Sequence, residues 1–223
     1  MINSLYPFAR KWSEKGSVYL ISDPHFDDAD CWLMDPDWPG PGEYIEKLNK
    51  TLTKNDTLIC LGDCGDPSYF SKLRAGYKVL IKGNHDKGNA NYQKRLVLKE
   101  KILDVTFNDY ASLEKRFNNP TVEWCECIGF IYEQVGYFDE VYEGPLFISE
   151  KLLLSHEPIY LGDVCFNIHG HTHDDNYIEN YNELDITANH VNYEPISLNV
   201  LIKDGILSRV CGQHRLTIDK ASK

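Results

Sequence analysis

Five short polar clusters contain the side chains of this sequence that are best suited to chemistry. They are Asp23-x-His25, Gly62-Asp63-x-x-Asp66, Gly83-Asn84-His85-Asp86, Ser155-His156-Glu157-Pro158 and Gly170-His171-Thr172-His173. Their carboxylate, imidazole and amide groups are ligands for borderline divalent transition metals, whereas structural zinc sites of thiolates and calcium sites use other ligand sets. The clusters therefore predict a site for transition-metal ions.

The spacing within the clusters suits a shared site. Asp23 and His25 are separated by one residue, as are His171 and His173. Because side chains alternate with a period of two in extended backbone, each pair can point the same way if the chain leaves its strand extended. Glycines at positions 62, 83 and 170 allow tight turns and a close approach to a ligand.

Three of the clusters follow short apolar runs that predict buried strands. These runs are residues 18–21, 57–61 and 77–81, with helices predicted over residues 43–54 and 67–76. Strand, polar turn and helix in succession, three times over, indicate parallel β-α-β units, which bind ligands beyond the carboxyl ends of their strands. We therefore expect these clusters to meet at one edge of a sheet.

The remaining sequence predicts a change of structure along the chain. Residues 89–120 are expected to be helix and loop, and the later residues favour strands at 129–134, 137–142, 146–149, 151–155 and 164–168. Residues 186–191 and 200–209 are expected to close a second sheet. No internal repeat or linker is visible, so one domain over residues 1–223 is expected.

The charge and the cysteines restrict the partners and the compartment. The net charge of -11 counts against binding of long nucleic acid or of anionic membranes. No signal peptide is visible, and no apolar run approaches the roughly 18 residues of a membrane span. Seven cysteines without a secretion signal indicate free thiols. We expect a soluble, cytoplasmic protein.

In this order, the five clusters resemble those of the calcineurin-like metallophosphoesterases. The resemblance spans residues 23–173, and the final Gly-His-Thr-His is similar to the small bacterial, archaeal and phage-type phosphodiesterases. Pro67 and Ser68 follow Asp66 where the protein phosphatases have Arg-Gly, which argues against a phosphoprotein phosphatase. The implied fold is α/β, a layered α-β-β-α sandwich of two mixed β-sheets flanked by helices.

The resemblance also implies a role for each motif residue. One metal would be held by Asp23, His25 and His173, the other by Asn84, His156 and His171, with Asp63 bridging the two. His85 would face the substrate as the catalytic acid, with Asp66 or Asp86 orienting its ring. A hydroxide shared by the two ions would attack phosphorus. Mn is the first expectation for the metal, with Fe, Zn, Ni and Co as alternatives.

The implied activity is hydrolysis of a small phosphoester, nucleotides included, with a phosphodiester favoured over a monoester. A nuclease and a metal-binding scaffold that has lost catalysis are the alternatives. A redox protein would need cysteines near the clusters, and only Cys64 is adjacent. Each cluster alone is more often a turn or a helix cap, so the interpretation depends on their conjunction. Trp32, Trp38 and Tyr160 could line a substrate opening or simply pack locally, and the sequence leaves the oligomeric state undetermined.

Overall fold

The computed structural model describes residues 1–29, 31–86, 91–103, 127–173 and 181–212. The chain divides into two compact units, one formed by Met1–Lys94 with Gly136–Lys223 and the other by Arg95–Val135. All five polar clusters belong to the first unit. The expectation of one domain over the whole chain stays a prediction.

Strands dominate the described residues. They are β1 (Val18–Ile21), β2 (Thr57–Cys60), β3 (Tyr77–Ile81), β4 (Arg95–Leu103), β5 (Cys127–Val135), β6 (Glu140–Tyr142), β7 (Leu146–Ser149), β8 (Leu152–Leu154), β9 (Phe166–His169), β10 (Glu183–Asp185) and β11 (Ile196–Ser197). The α-helices are α1 (Pro7–Arg10), α2 (Cys31–Met34), α3 (Gly40–Thr51) and α4 (Leu198–Lys203), with 3₁₀ turns at Lys11–Ser13, Pro67–Lys72 and Ile206–Ser208. No helix in these described ranges is long and apolar enough to cross a bilayer.

Two mixed sheets form the larger unit. The first has the order β11-β1-β2-β3-β6, in which β1, β2, β3 and β6 are parallel and β11 is antiparallel. The second has the order β10-β9-β8-β7, in which β10, β9 and β8 are parallel and β7 is antiparallel. Parallel strands carry their carboxyl ends to one edge, so each sheet offers such an edge for a ligand.

The core follows from the alternation of side chains along these strands. Leu20 and Ile59 of the first sheet share one buried cluster with Leu154 and Ile168 of the second. The opposite face of the first sheet packs on α3, whose Tyr44, Leu48 and neighbours lie in a separate buried cluster. Burial of each large apolar side chain contributes about 1.5–3 kcal/mol. This layering confirms the predicted α/β class with two mixed sheets.

Several predicted elements are confirmed within a residue or two, but others are wrong. Residues 95–103 form strand β4, not helix, and pair with β5 in an antiparallel ladder over nine residues. The backbone hydrogen bonds of β4 are made with β5, a segment distant in sequence. The local pattern of apolar residues cannot reveal such a partner. Residues 104–120 lie outside the described residues. The third β-α repeat is also wrong for the described residues, because the chain after β3 leads through Gln93, which bridges Phe138, into β4.

The predicted closing strands are wrong as well. The second sheet is closed by β10, and Asp185 ends this strand because its carboxylate accepts hydrogen bonds from the backbone and hydroxyl of Thr187. Residues 198–203 are helical because the Ser197 hydroxyl accepts from the backbone N–H of Val200 and caps the helix.

Candidate metal centre

The five polar clusters meet at the carboxyl ends of strands from both sheets. Asp23, Asp63 and Asn84 follow β1, β2 and β3 of the first sheet. His156 and His171 follow β8 and β9 of the second. The convergence that the sequence predicted at one sheet edge is therefore present, and the second sheet contributes to it.

The first group of ligand atoms comes from Asp23, His25 and His173, which lie within 4.8 Å of one another. Oδ1 of Asp23 is 3.6 Å from Nε2 of His173 and 4.0 Å from Nε2 of His25. Within the described residues, Oδ1 of Asp23 and Nε2 of His25 are buried and have no hydrogen-bond partner. A buried unsatisfied polar atom costs about 1–3 kcal/mol. A cation held between these atoms would satisfy both.

The second group comes from Asp63, His156 and His171, also within 4.8 Å of one another. Nε2 of His156 lies 3.2 Å from Oδ2 of Asp63, 2.8 Å from Oδ1 of Asn84 and 3.1 Å from Nδ1 of His171. Nδ1 of His156 is 2.9 Å from the carbonyl oxygen of Leu61, so the neutral ring carries its proton on Nδ1. Its Nε2 lone pair then faces the lone pairs of neighbouring ligand atoms. A metal-binding histidine is oriented in this way, with its other ring nitrogen donating a hydrogen bond.

The same electrostatics raises the proton affinity of this histidine. Burial lowers the pKa of His156, but the hydrogen bond to Asp63 and the charge of Asp23 outweigh it and raise the pKa to about 9. Conversely, burial raises the pKa of Asp63, and the hydrogen bond with His156 outweighs it, so that the pKa is lowered overall. A proton or a metal ion can neutralise this pocket.

The carboxylate of Asp63, a member of the second group, also approaches the first group. Its Oδ2 is 3.9 Å from Nε2 of His25 in the first group and 3.2 Å from Nε2 of His156 in the second. Its Oδ1 accepts a hydrogen bond of 2.8 Å from the backbone N–H of His85. One oxygen is thus held by the chain, and the other lies within 4 Å of a histidine from each group.

The backbone that presents these ligands adopts left-handed conformations. The φ angles are 55° at Asp23, 41° at His25, 49° at Asp63 and 75° at His171. Non-glycine residues rarely adopt positive φ, and such strain concentrates at functional sites. The expectation that extended backbone aligns each pair is therefore wrong. Adjacent turns bind each other instead, as the 3.0 Å bond from the His25 N–H to the Asp63 carbonyl shows.

Two glycines allow the close packing of these turns. A Cβ at Gly83 would overlap Oδ1 of Asp63, and a Cβ at Gly170 would overlap Oδ2 of Asp23. Both carboxylates therefore lie directly against glycine backbone, as the sequence suggested.

A second layer of polar groups orients the candidate ligands. Oδ2 of Asp23 accepts from the Ser22 hydroxyl at 2.5 Å and from the His171 N–H at 2.8 Å. Nδ1 of His25 lies 3.2 Å from Oδ2 of Asp28. Sequence reasoning missed Ser22 and Asp28, although each lies within three residues of a motif ligand and could be found by testing neighbouring polar residues.

Asp185 is a further residue that sequence reasoning missed. Its carboxylate accepts from the hydroxyl of Thr172, which lies between His171 and His173. Asp185 is 5% exposed and is anchored to Thr187 by bonds of 2.6 and 2.8 Å. No local motif marks this residue, because the contact joins β10 to the turn after β9.

The predicted catalytic residues differ in their surroundings. His85 is exposed, and its ring centroid lies 5.6 Å from that of His25. The Asp86 carboxylate accepts from the backbone N–H groups of Asp63, Cys64 and Gly83. Asp66 accepts from the N–H of Ser68 and caps the following 3₁₀ turn. No hydrogen bond described in this structure joins either carboxylate to the His85 ring, and their orienting role stays a prediction.

Two further histidines and one cysteine near the clusters have simpler surroundings. His169 and His190 hydrogen-bond or pair with Gly170 and Asp185, in keeping with structural roles. Cys64 is fully buried, and burial raises the pKa of its thiol. A protonated, inaccessible thiol argues against the redox alternative.

The chain is similar in sequence to one protein family and in fold to one solved structure. A family model described as calcineurin-like phosphoesterase matches residues 16–193, which contain all five clusters. The crystal structure of AQ665, a protein of unknown function from Aquifex aeolicus, matches with 24% identity and a TM-score of 0.52 over 84% of this chain and 98% of that one. This likeness concerns the fold alone. No curated protein matches the chain significantly.

Proposed function

Because the chain belongs to the calcineurin-like phosphoesterase family, we propose that it is a phosphodiesterase that uses two divalent metal ions to hydrolyse a small phosphoester, nucleotides included. The observation that carries this proposal is the position of Oδ2 of Asp63, 3.9 Å from His25 and 3.2 Å from His156. A carboxylate oxygen near histidines from both groups suits a pair of neighbouring ions.

Two sets of side chains would bind one ion each. Asp23, His25 and His173 would hold one, Asn84, His156 and His171 would hold the other, and Asp63 would contribute to both. Imidazole, amide and carboxylate ligands suit Mn, with Fe, Zn, Ni and Co as alternatives. When bound, two such ions lower the pKa of a shared water toward neutrality and neutralise charge on the phosphoryl oxygens.

His85 supplies the proton for the leaving group in this proposal. It is exposed beside His25, and its backbone N–H is fixed to Oδ1 of Asp63. A protonated imidazole at this position can donate to the leaving-group oxygen, which contributes about 10²- to 10⁴-fold.

The surface and the thiols support the remaining parts of the proposal. A net charge of -11 disfavours long polyanions, so a small substrate is favoured over nucleic acid, and no membrane surface is expected as a partner. Five described cysteines are free, which supports a reducing compartment such as the cytoplasm: Cys31, Cys60, Cys64, Cys165 and Cys211.

The experiment begins with removal of metal by a chelator. Hydrolysis of bis-p-nitrophenyl phosphate and of p-nitrophenyl phosphate is then measured with and without added Mn²⁺, for the wild type, Asp63→Asn and the control Asp204→Asn. Asp204 is exposed beyond the end of α4. We expect Mn²⁺ to restore turnover of the diester in the wild type and in the control, and Asp63→Asn to remain inactive.

The other outcomes separate the alternatives. Binding of Mn²⁺ without turnover of either compound favours the scaffold. Preferential cleavage of long DNA favours the nuclease. Absence of metal binding would contradict the ligand assignment itself.

A further inference from the structure

An exposed tryptophan lies on the short helix that follows the first pair of candidate ligands in the chain. Trp32 is 53% exposed and Leu33 is 83% exposed, both on the short helix α2. Large apolar side chains at such exposure are common singly, but these two are adjacent in a loop that leaves the first pair of candidate ligands. Their surroundings indicate whether they serve the site.

The Trp32 ring is held in place by contacts that lead to the ligands. Its ring packs edge-on against the buried Trp38, with centroids 5.0 Å apart and an interplanar angle of 86°. Nε1 of Trp38 donates a hydrogen bond of 3.3 Å to the carbonyl oxygen of Pro24, the residue between Asp23 and His25. Trp32 therefore contacts Trp38, which in turn contacts the turn that contains the candidate ligands Asp23 and His25.

The helix that carries Trp32 is also anchored to this turn. The Asp28 N–H donates to the His25 carbonyl at 3.1 Å, and the Cys31 N–H donates to the Asp28 carbonyl at 3.2 Å. Asp28 also orients His25 through its carboxylate. These backbone bonds connect His25 to the first residue of α2, the helix that carries Trp32.

The charge of this loop indicates what the ring can bind. Between positions 26 and 39 there is no Lys or Arg, and five aspartates occur, at positions 27, 28, 30, 35 and 37. Such a loop repels additional phosphates, so it suits an uncharged part of a substrate rather than a polyanionic strand. An exposed indole face binds aromatic rings by stacking, whichever base or aryl group carries them.

We propose that Trp32 is a specificity-determining platform that stacks on a single aromatic group, a nucleobase or an aryl ring, of the phosphoester whose phosphoryl group binds at the metal centre. This inference rests on the proposed function, which it deepens by naming the substrate class. The platform selects a small aromatic phosphoester over an alkyl phosphoester and over a polynucleotide.

The chain offers a matched control for this platform. Phe8 is 40% exposed and packs edge-on against the buried Trp12, with centroids 6.0 Å apart and an angle of 87°. The Trp12 carbonyl accepts from the hydroxyl of Thr57, the first residue of β2, at the sheet edge opposite the metal centre. Phe8→Ala therefore removes a similar aromatic contact far from the site.

The test measures binding by calorimetry to the Mn²⁺-loaded full chain, using phenyl phosphate and methyl phosphate. We expect Trp32→Ala to raise the Kd of phenyl phosphate about tenfold while the Kd of methyl phosphate changes less than about twofold. Trp32→Phe should keep most of the preference for phenyl phosphate, and Phe8→Ala should match the wild type.

An unchanged Kd of phenyl phosphate in Trp32→Ala, or equal weakening of both compounds, would overturn the platform. Wild-type protein that binds both compounds equally would contradict the platform alone. Wild-type protein that binds neither compound with Mn²⁺ present would overturn the platform, whereas the proposed hydrolase is judged separately by turnover of bis-p-nitrophenyl phosphate.

Discussion

Gly83 lies against the carboxylate of Asp63 so closely that a Cβ at this position would overlap Oδ1 and stand 2.8 Å from the Asp63 backbone nitrogen. The same Oδ1 accepts the hydrogen bond from the His85 N–H. The absence of a side chain at residue 83 therefore allows Asp63, the candidate bridging ligand, to occupy this position.

The first prediction concerns this contact. Gly83→Ala should displace Asp63 and reduce Mn²⁺ affinity at least about tenfold, since misplacement of a ligand by even a small distance weakens a metal site. Gly144→Ala is the matched control, because a Cβ there meets no atom within 4 Å. Titration of both variants with Mn²⁺ by calorimetry tests the effect, and equal affinities in the two variants would contradict it.

His85 should separate metal binding from catalysis. His85→Ala is expected to keep the wild-type Mn²⁺ stoichiometry, because this ring lies outside both ligand groups, and to lower kcat by about 10²- to 10⁴-fold. Metal analysis and turnover of bis-p-nitrophenyl phosphate measure the two effects independently. Loss of metal in this variant would assign His85 to the ligands instead.

Protons should compete with metal at His156. The pKa of His156 in the metal-free protein is raised to about 9 by Asp63 and Asp23, against the effect of burial. Below this pH the ring must lose a proton before Nε2 can bind metal, so Mn²⁺ affinity should rise about tenfold per pH unit between about pH 6 and pH 8. Calorimetry in buffers of different ionisation enthalpy counts the released proton. An affinity independent of pH in this range would refute the competition.

Glu140 should stabilise the fold away from the metal centre. Its carboxylate accepts from Nε1 of Trp12 and from the hydroxyls of Tyr77 and Tyr142, and it pairs with Lys11 at 2.7 Å. Glu140→Gln should lower the free energy of unfolding by about 1–3 kcal/mol at pH 7, because hydrogen bonds to a charged acceptor are lost.

The effect of Glu140 should depend on pH. Burial raises the pKa of this carboxyl, but the hydrogen bonds from Lys11 and the two tyrosines outweigh it and lower the pKa overall. A lowered folded pKa gives stability that is present above the unfolded pKa of 4.5 and is lost as the pH falls through the folded value. Urea denaturation at pH 7 and at acidic pH should show the wild type and Glu140→Gln converging in acid. A difference that persists in acid would argue against this role.

Local sequence patterns could predict the chemistry and part of the fold. Strands β1 and β3 have the predicted bounds, because apart from Lys78 their side chains are aliphatic or aromatic and form runs of strand length. The metal-binding residue types follow those strands directly in the chain. Topology then brings strand ends together, so that Asp23, Asp63 and Asn84 become neighbours without any long-range information.

Local sequence patterns could not predict the pairing of strands that are distant in sequence. The sequence predicts helix and loop for the β4 segment because its partner, β5, is more than twenty residues away in sequence, and a ladder is stabilised by both strands together. Helix α4 was predicted as a strand, since its apolar residues are compatible with either structure until the Ser197 cap selects the helix.

The sequence by itself determined which residue types could bind metal. It also determined which strand each of these residues follows in the chain. Only the tertiary structure decided how they are held: left-handed turns at Asp23 and His171 replace the expected extended backbone, and Asp185 supports the ligand turn from another strand. The physical reason is that ligand identity is a property of single residues, whereas ligand orientation depends on hydrogen bonds between segments that meet only after folding.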